Sequence, residues 1–409
     1  MKVLVVGSGG REHAIAWKLA QSPGCEELHA APGNPGIARL GFCHPVRAED
    51  AEGLLELCRS IEIDLVVVGP EAPLVAGAAD LLRHGGVRVF GPGREAARIE
   101  GSKSFAKEVM LAAAVPTASP LPVARAPCVI KVDGLAAGKG VFVCRTAEEL
   151  EAGLHAAAAY GDRLVIEALL EGEELSIFAL CDGAHAIALP AARDYKRVGD
   201  GDAGPNTGGM GSFSPVPRIG PAEIEEILDL VHRPVLMELA RRGTPFIGVL
   251  FAGLMRTTDG LRVLEFNCRF GDPETQSILP LIEGDLLTAL VGAASGSLDE
   301  TALGVSAQAA VTVVIAAPRY PAENDSGTPI AGITDAEAQG ALVFHAGTAV
   351  HGERLVTNGG RILGVTGVGH DVADARRLAY DSVERISLPG GRWRRDIALA
   401  AAEESSVGA

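Results

Sequence analysis

Four short apolar runs lie in the first ninety residues, at 2–6, 28–31, 64–68 and 87–90, with helical spacing at 12–21 and 74–84 between them. This rhythm constrains the fold more than any other feature of the chain. Short apolar runs bounded by Gly and Pro read as buried strands, and strands alternating with helices pair in parallel through crossovers. The expected architecture is α/β, a parallel Rossmann-like sheet with helices on both faces. Ligands of such a sheet sit beyond the carboxyl ends of its strands. The loops at those ends, 7–10, 31–36 and 69–74, are all rich in Gly or Pro.

A chain of 409 residues exceeds one ordinary domain and buries ample core without disulfide or metal staples. Its net charge of −16 gives no broad positive field, so nucleic acid and membrane surfaces are not expected partners. The seven cysteines form no CxxC pair, which argues against a disulfide framework or zinc site and fits a reducing, cytoplasmic location. The N-terminus lacks the apolar region of a signal peptide, and the uncharged stretch 301–318 is too polar for a membrane span.

A second region begins near Ile99. It reads as helix 103–114, strand 128–132, Gly-rich loop 134–140, strand 141–144, helix 147–159, strand 163–167 and strand 175–180. An irregular loop with six glycines spans 194–214, helix 222–242 follows, and strands 248–256 and 261–267 form a hairpin about Thr-Thr-Asp-Gly. The last part has strand-like runs at 310–315, 342–345 and 361–366, a helix at 371–386 and a tail expected to fray after Ala400. The expected domains are 1–98, 99–315 with a small lobe at about 115–180, and 316–409.

Several motifs carry chemistry. G-S-G-G-R-E-H-A from Gly7 is a strand–turn–helix junction whose N–H groups suit a phosphate. The third position of a dinucleotide fingerprint is Glu12, and no acid ends the second strand, so a small phosphate ligand is favoured over NAD; a tight packing turn is the alternative. G-L-A-A-G-K-G from Gly134 has the wrong spacing for a Walker A loop and reads as a hairpin flap carrying Lys139. Lys131 lies in an apolar strand and needs a partner, either Asp133 or a nucleotide phosphate. Four acids fall in eight residues from Glu167, with Leu169 and Leu170 between Glu167 and Glu174; their backbone could pair with an adenine edge. V-L-E-F-N-C-R-F-G-D-P-E-T-Q is the most specific string. Glu265 and Asn267 project from one strand face, a carboxylate and an amide oxygen suited to Mg²⁺, and Arg269 offers a fork for a carboxylate or phosphate.

These strings, with G-P-E-A-P-L-V-A-G from Gly69, G-S-K from Gly101, D-Y-K-R-V-G-D-G-D-A-G-P-N-T-G-G-M-G from Asp194 and N-G-G-R-I-L-G-V-T-G-V-G from Asn358, resemble the phosphoribosylamine–glycine ligase family of ATP-grasp enzymes from end to end. The resemblance implies an ATP-grasp fold with a pre-ATP-grasp N-terminal domain and a small C-terminal α+β domain. It implies ligation of glycine to 5-phosphoribosylamine, in a monomer, with ATP and Mg²⁺ or Mn²⁺. It assigns Lys103, Lys131, Lys139, Glu167, Leu169, Leu170 and Glu174 to ATP, and Glu265 and Asn267 to the metal. Arg269 and Asp272 would orient glycine and, with Lys131, form the catalytic set. Gly9, Gly10, Asn34 and Glu71, with Asp194, Lys196 and Arg197, would hold substrate. Against this stand a nicotinamide oxidoreductase, another ATP-grasp enzyme acting on a later purine ribonucleotide, and a nucleotide-binding regulator.

Overall fold

The computed structural model describes residues 1–135, 140–299, 301 and 303–407, side chains being described to residue 404. Lys139 and the centre of the flap therefore lie outside the described residues. The first region is a five-stranded parallel sheet in the order Phe42–Cys43, Glu27–Pro32, Lys2–Gly7, Leu65–Val68, Arg88–Phe90. Its central strands are apolar over 3–6 and 65–68 because both faces are covered there. The chain steps outward twice from Lys2–Gly7 and returns to its other side at Leu65–Val68. That reversal places the loops after Gly7 and Val68 together at one switch point.

The expected helix over 74–84 is two, Glu71–Ala76 and Ala78–His84, hinged at Gly77 with φ +93°. The helix over 222–242 contains a π-helical stretch, Leu228–His232, between Pro221–Ile227 and Arg233–Arg241. Pro234 has no N–H to close an α-turn there. A further helix, Leu286–Ala294, packs against Arg88–Phe90 and the strand Glu173–Asp182. Its N-cap, Asp285, accepts from the amides of Leu287 and Thr288.

The middle region is built mainly on two antiparallel sheets, a small and a larger one. The small one pairs Cys128–Val132 with Val141–Cys144 and Leu164–Ala168. The larger runs Ala186–Ala188, Glu173–Asp182, Ile247–Thr257, Gly260–Asn267. The small sheet has a core of few buried residues, among them Cys128, Ile130, Val132, Cys144 and Ala157. A lobe with so little buried apolar surface belongs to the low-stability end of a protein, where lids are found.

The loop expected over 194–214 is more ordered than its glycines implied. Arg193–Asp194 and Gly211–Ser214 are strands, and Arg197–Gly199 and Ala203–Asn206 form a hairpin. The first two join Ala309–Ala316, Arg361–Gly369 and Leu342–His345 in a five-stranded antiparallel sheet. Residue 315 thus falls inside a strand of a sheet shared by the middle and C-terminal regions. Residues 401–407, expected to fray, are helical: helix Leu399–Val407 docks by Ala401 and Ala402 against the C-terminal core.

Candidate active site

The switch-point loops meet at Glu12, which is buried. Its carboxylate accepts from Gly9 N–H at 2.6 Å and from Arg11 Nε at 2.6 Å. A Cβ on Gly69 would stand 2.1 Å from its Oε1. Glu12 therefore fills the space that a third glycine leaves open in a dinucleotide fold. Gly9 also presses on Glu12, whose Oε2 would lie 2.7 Å from a Cβ there, while Gly10 presses on the segment after Gly271, where a Cβ would lie 2.7 Å from Gln276 Nε2. Asn34 ties this corner together. Its amide donates to the carbonyls of Ser8 and His345, and its oxygen accepts from Gly36 and Ile37.

Arg269 carries the site from the N-terminal sheet to the middle region. Its guanidinium reaches Glu71 Oε2 at 3.3 Å, Glu100 Oε1 at 3.0 Å and Asn267 Oδ1 at 3.2 Å. Burial opposes the charge on Glu71, but Arg269 and Arg11 hold its carboxyl below the ordinary value. Asp272 is gripped from the C-terminal sheet, by Arg361 Nη2 at 2.8 Å, and by Gln276 Nε2 at 2.8 Å.

On the nucleotide side, Lys131 pairs with neither Asp133 nor any group in its own strand. Its Nζ lies 2.7 Å from Glu167 Oε2 and 2.7 Å from the Leu264 carbonyl. Asp133 instead accepts from Ser102 and Ser104. Glu167 also takes Lys107 at 2.6 Å, so one buried carboxylate serves two ammonium groups. Lys103 donates to the Gly134 carbonyl at 2.9 Å, at the foot of the flap. Leu169 and Leu170 follow strand Leu164–Ala168 and precede Glu173–Asp182, half-buried at the joint between small and large sheets.

Glu265 lies at the centre. Burial acts to raise its pKa, but Lys196, Lys131, Lys103 and Arg269 outweigh it and hold the carboxyl below its ordinary value. Burial likewise works against the charge of Lys196, yet Asp194, Glu174 and Glu265 keep it well above the ordinary lysine value. Its Nζ is 2.6 Å from Glu174 Oε2. Arg197 is used within its own hairpin, on the Gly204 carbonyl. Two carboxyls near this cluster resist ionisation: burial raises Asp194, and burial with Asp194 nearby pushes Glu274 up to about 7.

The Glu265 and Asn267 oxygens are hard donors, one of them ionised, and fit a divalent cation that completes its shell with phosphate and water. No cage of three or more His, Cys, Asp or Glu exists among the described residues.

Sequence reasoning missed Lys107, Glu100 and Arg361. Arg361 stood in view, in the Asn358 string, and Lys107 lay in the expected helix 103–114. Glu100 left no signal, being one acid on a helix until the fold sets it against Arg269.

Family comparison matches the chain in three parts. Models of phosphoribosylglycinamide synthetase match residues 1–100 (N domain), 101–275 (ATP-grasp domain) and 310–400 (C domain). The chain is 49% identical to the phosphoribosylamine–glycine ligase of Streptomyces coelicolor, over 98% of this chain and 100% of that one. It is 47% identical to that of Mesorhizobium japonicum, over 97% of each. The crystal structure of the Thermotoga maritima phosphoribosylamine–glycine ligase superposes with a TM-score of 0.84 at 36% identity, covering 97% of this chain and 100% of that one. A biotin carboxylase domain from Hydrogenobacter thermophilus, 17% identical, shares the fold with a TM-score of 0.68. By the match of all three domains along its length, the chain belongs to the phosphoribosylglycinamide synthetase family.

Proposed function

We propose that the chain joins glycine to 5-phosphoribosylamine at the expense of ATP, giving glycinamide ribonucleotide, ADP and phosphate in purine biosynthesis, through a glycyl phosphate intermediate. The observation that carries this reading is the convergence of Lys103, Lys131, Lys196 and Arg269 on Glu265, linked through Arg269 and Glu71 to the loops of the N-terminal sheet. Glycine's carboxylate is a poor electrophile. Its oxygen takes the γ-phosphoryl group of ATP, the amine of phosphoribosylamine attacks the carbonyl carbon, and phosphate leaves with that glycine oxygen.

The protein's part is positioning and charge neutralisation. Lys131 uses two of its three donors on Glu167 and Leu264 among the described residues, and its third N–H suits a phosphate. Lys103 and the flap with Lys139 cover the same phosphates. The joint at Leu169 and Leu170 takes adenine, and Glu174 the ribose. Arg269 and Asp272 orient glycine; Gly9, Gly10, Glu71 and the strand carrying Asp194 and Lys196 surround the amine substrate, with Asn34 holding their loop in shape. Mg²⁺ or Mn²⁺ on Glu265 and Asn267 would neutralise charge on the transferring phosphoryl group. We read the enzyme as a cytoplasmic monomer, without nucleic-acid or membrane partners; among the described residues no helix is long and apolar enough to cross a membrane.

The test is ADP release with Mg·ATP and glycine, with and without freshly generated phosphoribosylamine. Release that needs both substrates, with ¹⁸O passing from labelled glycine carboxylate into phosphate, supports the reading. Release only with a later purine ribonucleotide and bicarbonate or formate would overturn the substrate assignment.

A further inference from the structure

Arg394 is the largest fully buried side chain among the described residues, at 1% exposure, yet it lies far along the chain from every residue assigned to the reaction. A buried guanidinium persists only with partners for its charge and its donors. Arg394 has them. Nε and Nη2 form a fork on Asp396, at 2.7 and 2.6 Å. Nη1 reaches Asp202 Oδ1 at 2.7 Å and the Arg197 carbonyl at 3.1 Å. The guanidinium also covers the Tyr195 ring, 4.8 Å from its centroid.

All the partners except Asp396 belong to one segment. Tyr195, Arg197 and Asp202 flank or form the hairpin Arg197–Gly199/Ala203–Asn206, which follows directly on Lys196. The surrounding backbone repeats the attachment. Asp396 Oδ2 accepts from Gly201 N–H at 2.8 Å, the Arg395 amide donates to Asp200 at 2.7 Å, and the Ala398 amide donates to the Tyr195 hydroxyl at 2.9 Å. The far end of the segment is held too: Gly208 donates to the Tyr320 hydroxyl, and its carbonyl accepts from Arg361. Between these anchors, Thr207 returns two hydrogen bonds to the Lys196 carbonyl, at 2.7 and 2.8 Å. The backbone that aims the Lys196 ammonium at Glu174 is thus fixed from the C-terminal region.

We propose that Arg394 is a positioning residue for the ligation, which acts through Asp202 and the Arg197 carbonyl to hold the hairpin and so places Lys196 in the site. The proposal rests on the reading of Lys196 as a substrate-side residue. It gives the C-terminal region a part in turnover although no assigned catalytic or ATP-binding side chain lies beyond 275. Breaking the latch from the hairpin side is the gentler test, since the Asp202 side chain is 69% exposed and Arg394 keeps Asp396. Asp202 has φ +54°, which Asn tolerates well. In Asp202→Asn we expect kcat to fall about tenfold or more, as small misplacements of reacting groups cost that much. The melting temperature should stay nearly that of the parent, and hydrogen exchange at the hairpin amides should speed up. Lys196→Ala should be impaired alone, and adding Asp202→Asn to it should cost little more, because both act through one group. If Asp202→Asn speeds hairpin exchange but leaves kcat and every KM within twofold while Lys196→Ala is impaired, the latch is structural only and the proposal fails. If Lys196→Ala turns over like the parent, the substrate-side reading of Lys196 fails, and the proposal with it.

Discussion

A lysine ammonium has three N–H donors, and the use made of each separates Lys107 from Lys131. Lys107 uses all three, on Glu167, Thr117 and the Ala118 carbonyl. Lys131 uses two. Lys107 is therefore a structural counter-ion that keeps Glu167 in place for Lys131. Replacing Glu167 by Gln would leave two buried ammonium groups facing an amide. We expect a loss of about 3–5 kcal/mol in urea denaturation, the range for breaking a buried pair on one side. Glu265 differs in kind, because its surplus of cationic neighbours suits a charged ligand set. Glu265→Ala should fold and lower ADP release by about 10²-fold or more, the scale of lost electrostatic stabilisation in a closed site. Wild-type release from Glu265→Ala would remove it from the site. Glu274 supplies a pH signature. Its folded pKa of about 7 exceeds the carboxyl's ordinary 4.5, so between these values the folded state binds more protons than the unfolded. Its contribution to stability therefore falls as pH rises through that window. Glu274→Gln should flatten this part of the stability–pH curve, and an unchanged slope would refute the assignment.

At the scale of elements, the sequence exposed what is periodic or chemically repetitive. The strands Cys128–Val132 and Val141–Cys144 were read to the residue, and Leu65–Val68 to within one, because continuous apolar runs permit little else. Helix Leu286–Ala294 was missed although Asp285 before an apolar run is a start signal. Strands such as Arg197–Gly199 and Ala203–Asn206 were illegible for another reason. Only Val198 among their seven residues favours a strand, and they are extended because the C-terminal region holds them, which no local pattern encodes. The site was legible in the same measure. Its charged types were in view, but the pairing of Lys131 with Glu167 and of Arg269 with Glu100 depends on long-range packing. The break in the expected 74–84 helix yields its own prediction. Gly77 sits at φ +93°, where a side chain is strained, and a Cβ would stand 2.8 Å from Arg94 Nε. Gly77→Ala should lower stability by about 1–3 kcal/mol, measured by thermal melting.

At the scale of the molecule, the first helix of the N-terminal region, Gly10–Leu19, and the C-terminal sheet meet at two histidines. The His345 amide donates to His13 Nδ1 at 2.8 Å, so that nitrogen must carry no proton. Burial lowers His13 to about 3 and His345 to about 4. In the unfolded chain both titrate near 6.5, so there the unfolded state binds more protons than the folded. Their contribution is present above about 6.5 and is lost as pH falls toward 4. We expect stability to decline over that window and His13→Asn to lessen the decline in denaturant titrations at stepped pH. The antiparallel sheet that runs Arg193–Asp194, Gly211–Ser214, Ala309–Ala316, Arg361–Gly369 and Leu342–His345 has a different implication. Its strands come from both sides of residue 315, and cutting there would leave residues 309–315 on Gly211–Ser214 but part them from Arg361–Gly369, which bares new edges. The last quarter of the gene is therefore not an exchangeable cassette. Recombination with another chain of this fold would have to carry 193–214 across together with 309–400, which ties the inheritance of the substrate segment to that of the C-terminus.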